Sequence, residues 1–107
     1  MEIDPALSSA AQRFAKDMAR RRFFNHTDPD GREPGDRIRA HARGYAAWGE
    51  NIAAGYPTAD STCRAWMKSH GHRANILNPR LTRIGAGYAP GRRGPYWVED
   101  FATYRPR

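Results

Sequence analysis

Apolar residues at Leu7, Ala11, Phe14, Ala15 and Met18 fall at the three- and four-residue steps that line one face of a helix. Asp4 before Pro5 gives that helix a start, an N-cap side chain followed by proline at the first helical position. The spacing predicts a helix from about Pro5 to Arg22. Asn25 to Gly35 reads NHTDPDGREPG, dense in turn formers, and is predicted as loop. A short helix from Asp36 to His41 and a break at Gly44 follow. Trp48 to Gly55 has no clear period and is expected to be irregular or briefly extended. After a cap at Thr58 or Asp60, Cys63, Trp66, Met67 and His70 fall at i, i+3, i+4 and i+7, predicting a second long helix interrupted near Gly71. Asn78-Pro79 ends the helical turn of His72 to Leu77. Ile84, Ala86 and Tyr88 alternate with Arg83, Gly85 and Gly87, and Tyr96 to Phe101 lies across the turn from Pro90 to Pro95. These segments predict an antiparallel hairpin whose second strand, apolar on both faces, is covered on both sides. Helices first and strands last make the expected class α+β.

The 107 residues fit one domain with a modest core. No apolar run approaches the roughly 20 residues of a membrane-spanning helix. Charge changes the picture more: 18 Lys and Arg against 11 Asp and Glu leave a formal +7. Such a surface favours nucleic acid, anionic lipid headgroups or teichoic-type wall polymers. The cations are scattered except for Arg20-Arg21-Arg22, so association with nucleic acid is expected to be salt-sensitive and blind to sequence. Cys63 is the single cysteine, which excludes an internal disulfide, and a small buried hydrophobe is its expected role. The opening Met-Glu-Ile-Asp-Pro lacks the basic stretch and apolar segment of a secretory signal.

Candidate chemistry rests on four histidines and one carboxylate. His26 lies in the turn-rich loop, where a solvated side chain and a ligand are both open readings. His70 and His72, two apart in a helical pattern, do not share a face. His41, beside Arg39 and Arg43, is expected to be exposed. Glu50 interrupts an apolar stretch from Tyr45 to Tyr56, and burying it is unfavourable unless it meets a cation, a metal or several donors. The alternative is a surface turn. No Ser-His-Asp order, phosphate-cradling glycine loop, zinc-finger spacing or HExxH is present.

Four blocks then resemble, in order, the signatures of one family: residues 23–31 (FFNHTDPDG), 49–55 (GENIAAG), 66–77 (WMKSHGHRANIL) and 95–102 (PYWVEDFA). The chain is similar to the CAP superfamily of cysteine-rich secretory, antigen 5 and pathogenesis-related 1 proteins, also called the SCP domain, in its bacterial branch. The resemblance runs from about Ile3 to Tyr104. It implies an α-β-α sandwich with a central antiparallel sheet between helical layers, occupying residues 1–107 as one domain. It also implies a shallow cleft where two histidines and two glutamates meet, with zinc held by the histidines in some members. Carried onto this sequence, the histidines fall on His26 and His72 and the first glutamate on Glu50. Ser69 stands where the second glutamate would be, as it often does in bacterial members. His70, where relatives often carry proline, is expected to be a neighbour.

Family domains usually begin with a further helix before the equivalent of Ile3 to Leu7, and its pattern is missing here. The resemblance therefore implies uncovered apolar side chains, Phe14 and Met18 among them, and either a homodimer through that surface or a domain less stable than a longer form of the chain. Functionally it implies an extracellular or cell-envelope module binding a lipid, a cell-wall polymer or a protein, with His26 and His72 holding Zn²⁺ weakly. The second implied class is a zinc-assisted hydrolase with Glu50 as catalytic general base.

Overall fold

A computed structural model describes residues 1–104. Strand β1 (Glu2–Ile3) leads into helix α1 (Pro5–Arg21). Asp4 Oδ1 accepts from the N–H groups of Ala6 and Leu7 at 2.8 and 3.2 Å, satisfying two of the donors a helix start leaves over. The helix ends where Arg22 turns left-handed, φ 57°. Helix α2 (Pro34–His41), strand β2 (Tyr45–Ala54), helices α3 (Ala59–Lys68) and α4 (His70–Leu77), and strands β3 (Arg83–Ala89) and β4 (Tyr96–Tyr104) complete the order. The sheet runs β1-β3-β4-β2, with β1 parallel to β3 and the other pairs antiparallel.

Strand alternation sorts the sheet into two covered faces. Leu7, Ala11, Phe14, Ala15 and Met18 of α1 pack with Ile38 of α2 onto Ile52, Ala89, Val98 and Ala102. Gly85 and Gly87 let α1 lie directly on β3: a Cβ on Gly85 would stand 2.0 Å from Ser8 N, and one on Gly87 2.4 Å from the Ala11 carbonyl carbon. On the opposite face α3 and α4 reach β2 through Trp66, Asn75 and the His72 carbonyl. The result is an α-β-α sandwich, with β4 central and buried at Val98, Asp100, Phe101 and Ala102.

Several expectations are corrected. Of the two readings of Trp48 to Gly55 the extended one holds, but not as a brief stretch: Trp48 to Ala54 belongs to the ten-residue strand β2, whose polar centre conceals the period because both of its faces are covered. The second helix breaks at Ser69, extended at φ −97° and ψ 122°, so that Ser69 ends α3 and precedes α4. Phe14 and Met18 are 1% and 0% exposed, because α1 turns them onto the sheet and the Arg37 guanidinium lies 3.3 Å above the Phe14 ring. Neither side chain is left bare. Cys63 is exposed on α3, and His41 is half-buried.

Candidate functional site

The Gly49-Glu50-Asn51 block of β2 works by alternation. Glu50 points to the α1–α2 side and Asn51 to the α3–α4 side. Gly49 leaves room for Asn75 of α4, whose Oδ1 would stand 3.0 Å from a Cβ there. Asn51 donates to the His72 carbonyl at 3.1 Å and accepts from Asn75 at 2.9 Å. Asn75 also reaches the Glu50 carbonyl at 3.2 Å. The block therefore fixes α4, which carries His72.

On the other face Glu50, with 1% of its side chain exposed, is held by two residues. Arg37 forks onto it, Nη1 to Oε2 at 2.8 Å and Nη2 to Oε1 at 3.0 Å, and Nη2 also reaches the His26 carbonyl at 2.6 Å. His26 Nδ1 stands 2.9 Å from Oε1. With Glu50 ionised, Nδ1 is the donor in this bond. The 46% exposed His26 ring makes this the open side of the cluster.

Asp100 faces Glu50 across the β2–β4 pair, fully buried, and no donor reaches either of its oxygens. A proton on Asp100 supplies the missing donor, with Glu50 as acceptor. Burial pushes the Asp100 carboxyl well above the usual range, and the hydrogen bond and charge of Glu50 push it further. Burial alone would raise Glu50 too. The hydrogen bonds from His26, Asp100 and Arg37 and the Arg37 charge outweigh that and hold it below the ordinary value.

His72 Nδ1 lies 2.8 Å from Ser69 Oγ. A glutamate at that place would accept and force the proton onto Nδ1. The hydroxyl both donates and accepts, so either tautomer fits. Burial, and then the charge of nearby His26, push His72 below its ordinary value. His70 is exposed on the first turn of α4.

The structure thus joins His26 to Glu50 and Ser69 to His72, and places the two imidazoles within electrostatic reach. Arg37, Asp100, Asn51 and Asn75 were missing from the sequence-derived site. Asn51 and Asn75 lie inside the recognised blocks, which is a usable signal. Arg37 is one residue of an arginine-rich chain, and a helical position facing inward gives it no mark. As a test of fit for zinc, each imidazole has Nδ1 engaged by a neighbour, the arrangement that orients metal ligands. No group of three His, Cys, Asp or Glu side chains able to hold a metal is assembled among the described residues. Two protein nitrogens fit an open site only.

This layered fold and His/Glu cluster define a CAP domain. Residues 1–101 match the CAP, or cysteine-rich secretory protein, family, and the chain belongs to it. It is similar to the uncharacterized protein YkwD of Bacillus subtilis (strain 168), 40% identical over 101 residues, 94% of this chain and 38% of that protein. It is also similar to the uncharacterized membrane protein YlbC of the same organism, 29% identical over 81% of this chain and 25% of that protein. The chain spans well under half the length of these relatives. An extracellular protein containing a SCP domain from Bacillus anthracis str. Ames has TM-score 0.86 and 29% identity over 96% of this chain and 33% of that one. An outer surface protein from Borrelia burgdorferi shares the fold, TM-score 0.89 at 24% identity, over 98% of this chain and 78% of that one. No helix of the described residues is long and apolar enough to cross a membrane.

Proposed function

We propose that this CAP domain is a non-enzymatic binding module of the cell envelope or the extracellular space, taking a lipid, a cell-wall component or a protein partner. The observation that carries this reading is the state of Glu50. Both of its oxygens are engaged, by Arg37 and His26, and its carboxyl is held below the ordinary value. A general base needs a free lone pair and a pKa raised toward the working pH. Glu50 has neither, and Ser69 cannot replace it. The extracellular origin of the Bacillus anthracis relative supports the location.

The second reading is a zinc-assisted hydrolase, favoured by one observation: two imidazoles oriented through Nδ1. Zinc there would act as a Lewis acid when bound. The test is a zinc titration by calorimetry beside ester and peptide hydrolysis assays. Weak zinc binding that is lost on acidification, because a metal-bound imidazole must give up its proton, is expected, with no zinc-dependent turnover. Turnover that follows zinc and is lost in a folded Glu50→Gln variant selects the hydrolase instead. Lipid or wall binding is expected to survive His26→Ala.

A further inference from the structure

Nine exposed cations among the described residues form no ion pair, and three of them, Arg13, Lys16 and Arg92, border the two concavities beside α1. Arg20, 82% exposed, has one 3.6 Å contact to Asp17. Arg13, Lys16 and Arg20 follow at i, i+3 and i+7, a single stripe on the outer face of α1. The three border one concave groove of about 690 Å³ between α1, α2 and the loop before α2. Lys16 and Arg20 also border a second concavity that Arg92 closes from the β3–β4 turn. Arg13 and Arg20 stand about 10 Å apart along the helix, at 1.5 Å per residue. No single phosphate spans that distance; a chain bearing successive phosphates does.

The groove also carries acceptors. Asp30 and Asp36, on the loop and on α2, are at least half exposed within it. Carboxylates repel a densely charged strand but accept hydrogen bonds from hydroxyls. Its one large aromatic side chain, Phe14, is buried under Arg37, and the other ring that lines it, the His41 imidazole, is half-buried, so no broad exposed ring is offered on which a base would stack. Its apolar lining is alanine and that buried ring, with nothing large and exposed to enter a bilayer. Charge and hydroxyl complementarity together select a sparse polyanion.

We propose that the α1–α2 groove, with the Arg13, Lys16 and Arg20 stripe, binds a linear polyol-phosphate polymer, phosphates on the cations and polyol hydroxyls on Asp30 and Asp36. This deepens the binding-module reading and rests on it. The test titrates the 107-residue protein with poly(glycerol phosphate) of defined length, across a series of salt concentrations. An Arg13→Gln, Lys16→Gln, Arg20→Gln variant is compared with Lys68→Gln, Arg73→Gln, Arg80→Gln, which removes equal charge from the α3–α4 side. The groove variant is expected to bind about tenfold or more weakly, and its slope of log K against log salt to fall by about 2. The control variant stays within about twofold of wild type on the same counterion-release argument. Equal losses in both variants overturn the proposal, leaving only net charge. So does equal or tighter binding of oligothymidine, or of phosphatidylglycerol vesicles. Wild-type protein that binds vesicles or a protein but ignores the polymer overturns the groove and leaves the module reading intact. Zinc-dependent hydrolysis with the polymer still bound at the groove does the reverse.

Discussion

Arg37 and Asp100 enclose Glu50 from two sides and leave His26 as its outlet, so removing either partner has a calculable effect. Arg37→Met strands a buried carboxylate, and urea denaturation is expected to show a loss of about 3 kcal/mol or more. Arg37→Lys, which keeps the charge and loses the fork, falls between. A loss below about 1 kcal/mol for the methionine variant would mean the pair is solvated after all. The two carboxyls act oppositely on pH. Glu50, depressed in the fold, contributes stability present above its unfolded value of about 4.3 and lost as pH falls through the lower folded one. Asp100, raised in the fold, contributes stability fully present below its unfolded value of about 3.9 and lost as pH rises toward the folded one. Asp100→Asn keeps the donor to Glu50 without a proton to lose. It is therefore expected to remove the decline in urea midpoint above about pH 4 while keeping the acid limb; an unchanged profile would place the proton elsewhere. Glu50 was legible as a site residue because a lone carboxylate broke an apolar stretch. Asp100 was not, although it lies in the 95–102 block and in a strand expected to be covered on both sides, because nothing in the sequence pairs it with Glu50.

Helix α1 was legible almost to the residue, because its stripe, cap and proline all state the same boundaries. Strand β2 was not: Glu50 and Asn51 are polar neighbours that face opposite layers, and their partners Arg37 and Asn75 come from distant segments. Strand β1, two residues long, exists only by pairing with Arg83 and Ile84. The glycines of β3, read in the sequence only as the alternating partners of Ile84, Ala86 and Tyr88, are the seat of α1. Gly85→Ala or Gly87→Ala drives a methyl into helix backbone at 2.0 or 2.4 Å, with about 3 kcal/mol of stability expected to be lost. Gly71→Ala, on α4 with nothing within 4 Å, provides the contrast: neutral, or a gain of up to about 1 kcal/mol. Thermal melts of the three variants check this, and equal midpoints would show that α1 does not sit directly on the strand.

At the scale of the whole molecule, segments far apart in sequence hold each other. Gln12 exchanges hydrogen bonds with the Tyr88 backbone at 2.7 and 2.9 Å, the Glu2 N–H donates to the Thr82 carbonyl at 2.9 Å, and the Tyr104 hydroxyl donates to Asp4 at 2.9 Å. A fragment of residues 1–80 is accordingly expected to show no cooperative unfolding by circular dichroism, and the 107-residue protein to refold on the order of milliseconds to seconds. A cooperative transition in the fragment would contradict this. The docking of α1 on β3 also sets a schedule. The apolar stripe of α1 is made before β3 and β4, the strands on which it mainly sits, and lacks most of its cover until they follow. The domain therefore stays open while those strands are still to come, and it closes into a sandwich only once they have joined it.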